Sequence, residues 1–133
     1  MGGSSPVEKR QRAYRRGLDA ERLCVLSLRA RGYRILARRY RCVAGEIDIV
    51  ARRGKVIAAI EVKARDSATG ALSSVTRRQQ QRITRAAEQF LACHPQLARC
   101  DWRFDVMWVT AERSRIRSWR RILPQHLTDA WRA

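Results

Sequence analysis

No stretch of the 133 residues approaches the roughly 18 consecutive apolar residues of a membrane-spanning helix. Residues 1–13 have none of the apolar core that a secretory signal needs. A cytoplasmic protein with no membrane contact is therefore expected. The four cysteines, Cys24, Cys42, Cys93 and Cys100, include no C-x-x-C pair, and Cys93-His94 with Cys100 falls short of a four-ligand zinc set. That excludes a zinc module and a disulfide framework, and leaves reduced, mostly buried thiols. There is no internal repeat and no glycine-rich nucleotide loop. Acid is scarce: 12 Asp and Glu stand against 29 Lys and Arg, for a formal charge of +17. This imbalance points to a polyanionic partner, because neutralising phosphates releases counterions and supplies most non-specific nucleic-acid affinity. Lysine is scarcer still. Only Lys9, Lys55 and Lys63 occur, the other basic residues being arginine, which favours a specific role for Lys63.

At this length the chain is expected to hold one domain with a real core. Residues 1–12, polar, small and basic, predict a disordered arm, and residues 13–133 a single α/β domain. The central feature is Gly45 to Arg65, GEIDIVARRGKVIAAIEVKAR. It reads as two hydrophobic strands joined by a tight turn at Arg53-Gly54. A sheet buried on both faces normally reads as an unbroken apolar run. Here Asp48 interrupts the first strand, and Glu61 and Lys63 interrupt the second.

Side chains alternate faces along a strand, so Glu46 and Asp48 share one face, as do Glu61 and Lys63. With the loop at Arg53-Gly54, Asp48 stands opposite Ala59 and diagonal to Glu61, with Cβ atoms about 7–8 Å apart. Two carboxylates at that separation can hold one hard cation, and Mg²⁺ takes one or two carboxylates with waters and phosphate oxygens in its other positions. Lys63 would then stabilise hydroxide or the charge building on a phosphate. The alternative is an ion pair of Lys63 with Asp48 or Glu61 at a strand end facing solvent.

The flanking segments supply the frame. Ala13 to Arg31 is helical in pattern and ends at Gly32; Glu21 lies on its apolar face among Gly17, Leu18, Val25 and Leu28. Tyr33 to Cys42 predicts a first strand. Residues 66–74 predict a loop. Thr76-x-x-Gln79 resembles a capping box opening a helix to Cys93, stopped by Pro95. Trp102 to Val109 predicts a further strand, with Asp105 a structural partner for an arginine. Ile116 to Ile122 suggests an edge strand, and Pro124 to Trp131 a short helix. The three consecutive strands should form an antiparallel meander, and the helix from Thr76 should carry the chain to a strand parallel to the third.

Gly45-Glu46-Ile47-Asp48-Ile49-Val50 followed by Ile60-Glu61-Val62-Lys63-Ala64-Arg65 resembles the signature of the YraN-type family of bacterial endonuclease-like proteins. Gly17 with Glu21, Gly32-Tyr33, Gly70 with Ser74-Val75, and Arg103-Phe104-Asp105-Val106 follow in the expected order. That family is similar to the archaeal Holliday junction resolvases, within the PD-(D/E)xK nuclease superfamily. The resemblance implies a restriction-endonuclease-like α/β fold, a mixed central sheet flanked by helices. It implies Asp48 and Glu61 as ligands of Mg²⁺ or Mn²⁺, Lys63 as the catalytic lysine, and Glu21 as the additional acid. Glu46 and Gln79 are further candidates. Arg39 stands where relatives commonly have asparagine, and Gln79 where many have lysine.

The resulting expectation is a metal-dependent endonuclease that hydrolyses phosphodiesters in DNA, branched or junction DNA by analogy, acting as a homodimer on a two-fold substrate. Arg15, Arg16, Arg38, Arg41, Arg65, Arg77, Arg78 and Arg82 would contact the nucleic-acid backbone. The alternative is a non-catalytic nucleic-acid-binding protein that retains the nuclease fold.

Overall fold

The computed structural model of the chain describes residues 3, 5–64, 68–109 and 124–132, and the side chains of all of these except 12–18 and 68. Helix α1 (Pro6–Ala30) begins earlier than its apolar pattern indicates. The Ser5 hydroxyl accepts from the Glu8 N–H at 3.1 Å, and Ser5 N–H donates to the Glu8 carboxylate at 2.9 Å. This capping box, with proline at the first helical position, starts the helix seven residues before Ala13. Residues 6–12, expected as a disordered arm, are thus the opening turns of α1. At the other end Tyr33 N–H bonds the Leu28 carbonyl and Gly32 N–H that of Arg29, a Schellman closure for which Gly32 adopts φ +88°.

Strands β1 (Arg34–Cys42), β2 (Gly45–Arg53) and β3 (Val56–Ala64) form the antiparallel meander. The β2–β3 turn is Gly54-Lys55, with Gly54 at φ +63°, and not Arg53-Gly54. Arg53 therefore pairs Val56 and Ile49 pairs Ile60. The register differs by two residues from the expected one. Parity survives from Asp48 onward, so Asp48, Glu61 and Lys63 keep their common face, but Asp48 is carried level with Glu61 instead of diagonal to it.

Helix α2 (Ala68–Ser73) occupies most of the segment expected as a loop. Helix α3 (Arg77–Cys93) follows, with the Thr76 hydroxyl accepting from the Gln79 N–H at 3.2 Å. A 3-10 turn (Pro95–Leu97) leads into β4 (Asp101–Val109), parallel to β3 from Val56↔Asp101 to Ala64↔Val109. The expected terminal helix at Pro124 to Trp131 is instead strand β5 (Gln125–Trp131), antiparallel to β4. Tertiary packing decides this. Trp131 stacks on Phe104 at 5.4 Å, and His126 reaches across to Asp105. The strand suggested at Ile116 to Ile122 lies outside the described residues.

The sheet runs β1-β2-β3-β4-β5 and is covered on both faces. Ile83, Ala86, Ala87 and Phe90 of α3 pack with Ile47, Val50, Ile57, Ala59 and Val106. Ala20, Cys24, Val25 and Leu28 of α1 pack with Ile49, Ala51, Ala58, Ile60 and Met107. Ile47 and Ile49, two residues apart, belong to opposite cores. Strand alternation breaks at Asp48, level with Arg39 on β1, which holds φ +52°. Among the described residues no helix is long and apolar enough to cross a membrane.

Candidate active site

The break in β2 is where the acids gather. Asp48 does not simply project from the sheet: its carboxylate accepts the Val62 N–H at 2.8 Å, taking a ladder donor that a main-chain carbonyl would otherwise satisfy. Its other close partner is the Glu61 side chain, with which it shares a hydrogen bond. Lys63 Nζ lies 3.3 Å from Glu61 Oε1, and both side chains are largely buried. The three residues that the spacing singled out do converge.

A small cavity of about 170 Å³ opens over the two acids, lined by Glu46, Asp48, Glu61, Gln79, Arg82 and Ile83; Lys63 stands behind Glu61, outside this lining. Gly45 explains how α3 comes so close. A Cβ there would run into the main-chain carbonyl of Arg82, so only glycine lets the start of β2 pass under the helix. That approach sets Gln79 and Arg82, one turn apart, above the acids. Gln79 Oε1 is buried without a hydrogen-bond partner. A larger groove of about 530 Å³, between α3 and the β4–β5 end of the sheet, is mostly apolar and does not contain these acids.

The electrostatics of the pair are unfavourable to two free carboxylates. Burial first, and then the Asp48 charge, push the Glu61 carboxyl up to about 8, against the opposing pull of Lys63. Asp48 is raised by burial, partly offset by the Val62 N–H. Both shifts favour a protonated carboxyl in the pair over two free charges. A divalent cation could take that proton's place, and the donor set suits one. Among the described residues no three His, Cys, Asp or Glu side chains gather into a closed metal cage, and Mg²⁺ needs only one or two carboxylates plus waters and phosphate oxygens. The unpartnered Gln79 acceptor is placed to receive one such water.

Glu21 behaves differently. It is buried on the α1 side, does not line the cavity, and gives one oxygen to Arg38 at 3.0 Å and the other to Arg39 at 2.9 Å. Consecutive strand residues normally point to opposite faces; the left-handed backbone of Arg39 lets both guanidinia reach the same acid. This clamp was not legible in the sequence, although Arg39 was marked as a departure. Arg41 pairs with Glu46 at 3.3 Å on the surface. Arg77 and Arg78 are exposed on the first turn of α3, and Arg82 is exposed at the cavity. The side chains of Arg15 and Arg16, and all of Arg65, lie outside the described residues.

A family model described as "Uncharacterised protein family UPF0102" matches residues 20–109, a span that contains all four candidate catalytic residues. The chain belongs to this family. A UPF0102 protein of Parvibaculum lavamentivorans is 48% identical over 120 residues, covering 90% of this chain and 84% of the relative. UPF0102 protein amb4503 of Paramagnetospirillum magneticum is 46% identical over 136 residues, covering 99% and 98%. UPF0102 membership accords with the YraN-type resemblance carried by the GEID and EVK segments. Both segments lie within the matched span.

Proposed function

We propose that this protein is a Mg²⁺- or Mn²⁺-dependent endonuclease acting on DNA, with branched DNA as its substrate by analogy to the resolvases it resembles. One observation carries the reading: Asp48 and Glu61 are buried side by side, beside Lys63, where their charges oppose each other. A structural role does not account for that arrangement, since two apolar residues of similar size would pack there without the penalty. When bound between them, a divalent cation supplies Lewis-acid polarisation of a phosphate oxygen and acidifies a coordinated water.

The chain's own groups do the rest. Asp48 is fixed by the Val62 N–H with the Glu61 side chain beside it. The Lys63 ammonium neutralises charge developing on the phosphoryl oxygens. Arg82 offers its guanidinium to a non-bridging phosphate oxygen at the cavity, and Gln79 Oε1 orients water by accepting a hydrogen bond from it. The charge of +17 supplies affinity for the polyanion.

A second reading, a nucleic-acid-binding protein without turnover, is favoured by one specific contact. Both Glu21 oxygens are engaged by Arg38 and Arg39, so this acid is not free to complete a metal shell. The two readings separate on supercoiled plasmid and a synthetic four-way junction, each with Mg²⁺, Mn²⁺ or chelator. The nuclease cuts with metal and loses cutting in Asp48→Ala and Lys63→Ala. Salt-sensitive binding with no cutting in either metal overturns the enzyme and leaves the binding module.

A further inference from the structure

The carboxylates occupy one end of β2 and β3; the opposite end carries a concentration of charge for which the proposed chemistry has no use. Arg34, at the start of β1, pairs Arg52 of β2, and the β2–β3 turn brings Arg53 and Lys55 beside them. Arg31 closes α1 at the same pole. Its guanidinium and that of Arg53 lie over the Tyr33 ring, 5.7 and 4.5 Å from the centroid. Among the described residues no carboxylate forms an ion pair with any of these five. Three of them are held by carbonyl oxygens: Arg31 Nε donates to Ser27 at 3.3 Å, Arg52 Nε to Gly54 at 2.9 Å, and Arg53 Nη1 to Arg31 at 3.4 Å; Arg31 Nη1 also lies 3.0 Å from His126 Nδ1, whose ring reaches Asp105. A guanidinium fixed by a carbonyl or an aromatic face is oriented without being neutralised. The exposed acid of the neighbouring strand is Asp101; Asp105 is fully buried and committed to Arg103, His126 and the Asp129 N–H.

Asp48 lies four residues from Arg52 and Glu61 six from Lys55, so the pole stands about 13–20 Å from the carboxylates at 3.3 Å per residue. That is the length of roughly four to six base pairs of duplex at 3.4 Å rise. Strand β1, an edge of the sheet, runs alongside and bears exposed Arg38 between the pole and Asp48, with exposed Arg41 just beyond, level with Glu46. We propose that this pole is a second phosphate-contacting surface, which grips the backbone of a duplex arm whose near end lies at the carboxylates. The proposal rests on the nucleic-acid reading above and adds a length to it. Arms shorter than the interval cannot touch both ends.

The test uses Arg34→Glu with Lys55→Glu, since both side chains are exposed and form no ion pair among the described residues, with melting temperature as the folding control. Binding is measured in chelator, across a salt series, to a duplex of about 16 base pairs and to a hairpin with a stem of about 3 base pairs. For the long duplex, affinity is expected to fall at least about tenfold, and the slope of log affinity against log salt to become shallower by about 2, near 0.9 per lost phosphate contact. The short hairpin is expected to lose much less affinity, because a stem of about 10 Å held at the carboxylates does not reach the pole, and at physiological salt a charge about 13–20 Å away lies some two Debye lengths off. Arg34→Lys with Lys55→Arg is expected to restore the parent behaviour. Equal losses on both ligands, or none on the long duplex, overturn the pole. If the parent binds both ligands, and Arg78→Glu with Arg82→Glu weakens both while the pole variant weakens neither, the nucleic-acid reading stands and only the pole falls. If the parent binds neither ligand, both fall.

Discussion

Glu61→Gln should make the metal-free protein more stable. Folding raises the Glu61 pKa from an ordinary 4.5 to about 8, with burial the largest cause and Asp48 the next. The folded state therefore holds this proton more tightly than the unfolded chain. Its stabilising contribution is complete below about 4.5 and is lost as pH rises through about 8. Between pH 4.5 and 7 the unfolded chain releases the proton while the folded chain keeps it, which at about 1.4 kcal/mol per pH unit erodes stability by roughly 3 kcal/mol. Glutamine preserves the size of the neutral side chain, and the opposing loss of the Lys63 attraction is already contained in the net shift. At pH 7 in chelator the variant should gain roughly 2–3 kcal/mol, seen as a rise in Tm on the order of 10 °C. The gain should shrink toward zero near pH 4.5. Denaturant unfolding of both proteins across that range measures it. A variant no more stable than the parent at neutral pH, or a gain that does not change with pH, would refute the account of the acids as a mutually destabilised pair.

Mg²⁺ should stabilise the parent increasingly as pH rises from 5.5 to 8, because the cation must displace the shared proton, and should stabilise Glu61→Gln much less; thermal shifts with and without metal report both. Gly45→Ala should destabilise by about 1–3 kcal/mol, since the new methyl meets the Arg82 carbonyl and α3 must lift away from β2. Urea unfolding gives that value, and an unchanged midpoint would mean that the helix approach is not fixed by this glycine. Asp105→Asn should cost about 3–5 kcal/mol by leaving Arg103 without its charge partner in a buried network, with little change in any metal effect. Glu21→Gln should lower stability at neutral pH by about 1–3 kcal/mol, because it strands the two arginines that meet there, and Arg39→Asn in the same background should add little further loss.

Much of this architecture was legible because its signals are local or periodic. The meander followed from alternating apolar strands. The parallel β4 followed from the intervening helix, and α3 from Thr76 and its apolar stripe. What escaped depends on contacts between segments distant in sequence. The pattern in Gln125–Trp131 does not declare a strand until Phe104 receives Trp131 and Asp105 receives His126. The early start of α1 was readable in principle from Ser5-Pro6 and Glu8, but the polar, charged composition of those residues outweighed it. The turn at Gly54-Lys55 was missed by one residue, because both alternatives put the glycine in the loop and only the cross-strand ladder separates them.

The site itself shows a sharper division between residue type and geometry. Parity alone brought Asp48, Glu61 and Lys63 to one place, and it survived a register error of two because two is the period of the strand. Periodicity could not show that alternation fails at Asp48. There Ile47 and Ile49 enter opposite cores, Asp48 accepts a ladder N–H with its side chain, and Arg39 alongside turns left-handed to meet Glu21. Each of these departures costs free energy, and together they hold one carboxylate against another in a buried setting. A sheet selected only for stability would place valine at 48 and 61 and keep its alternation. Local irregularity and electrostatic opposition coincide on the same few residues, and that coincidence points to chemistry more firmly than the acids do alone.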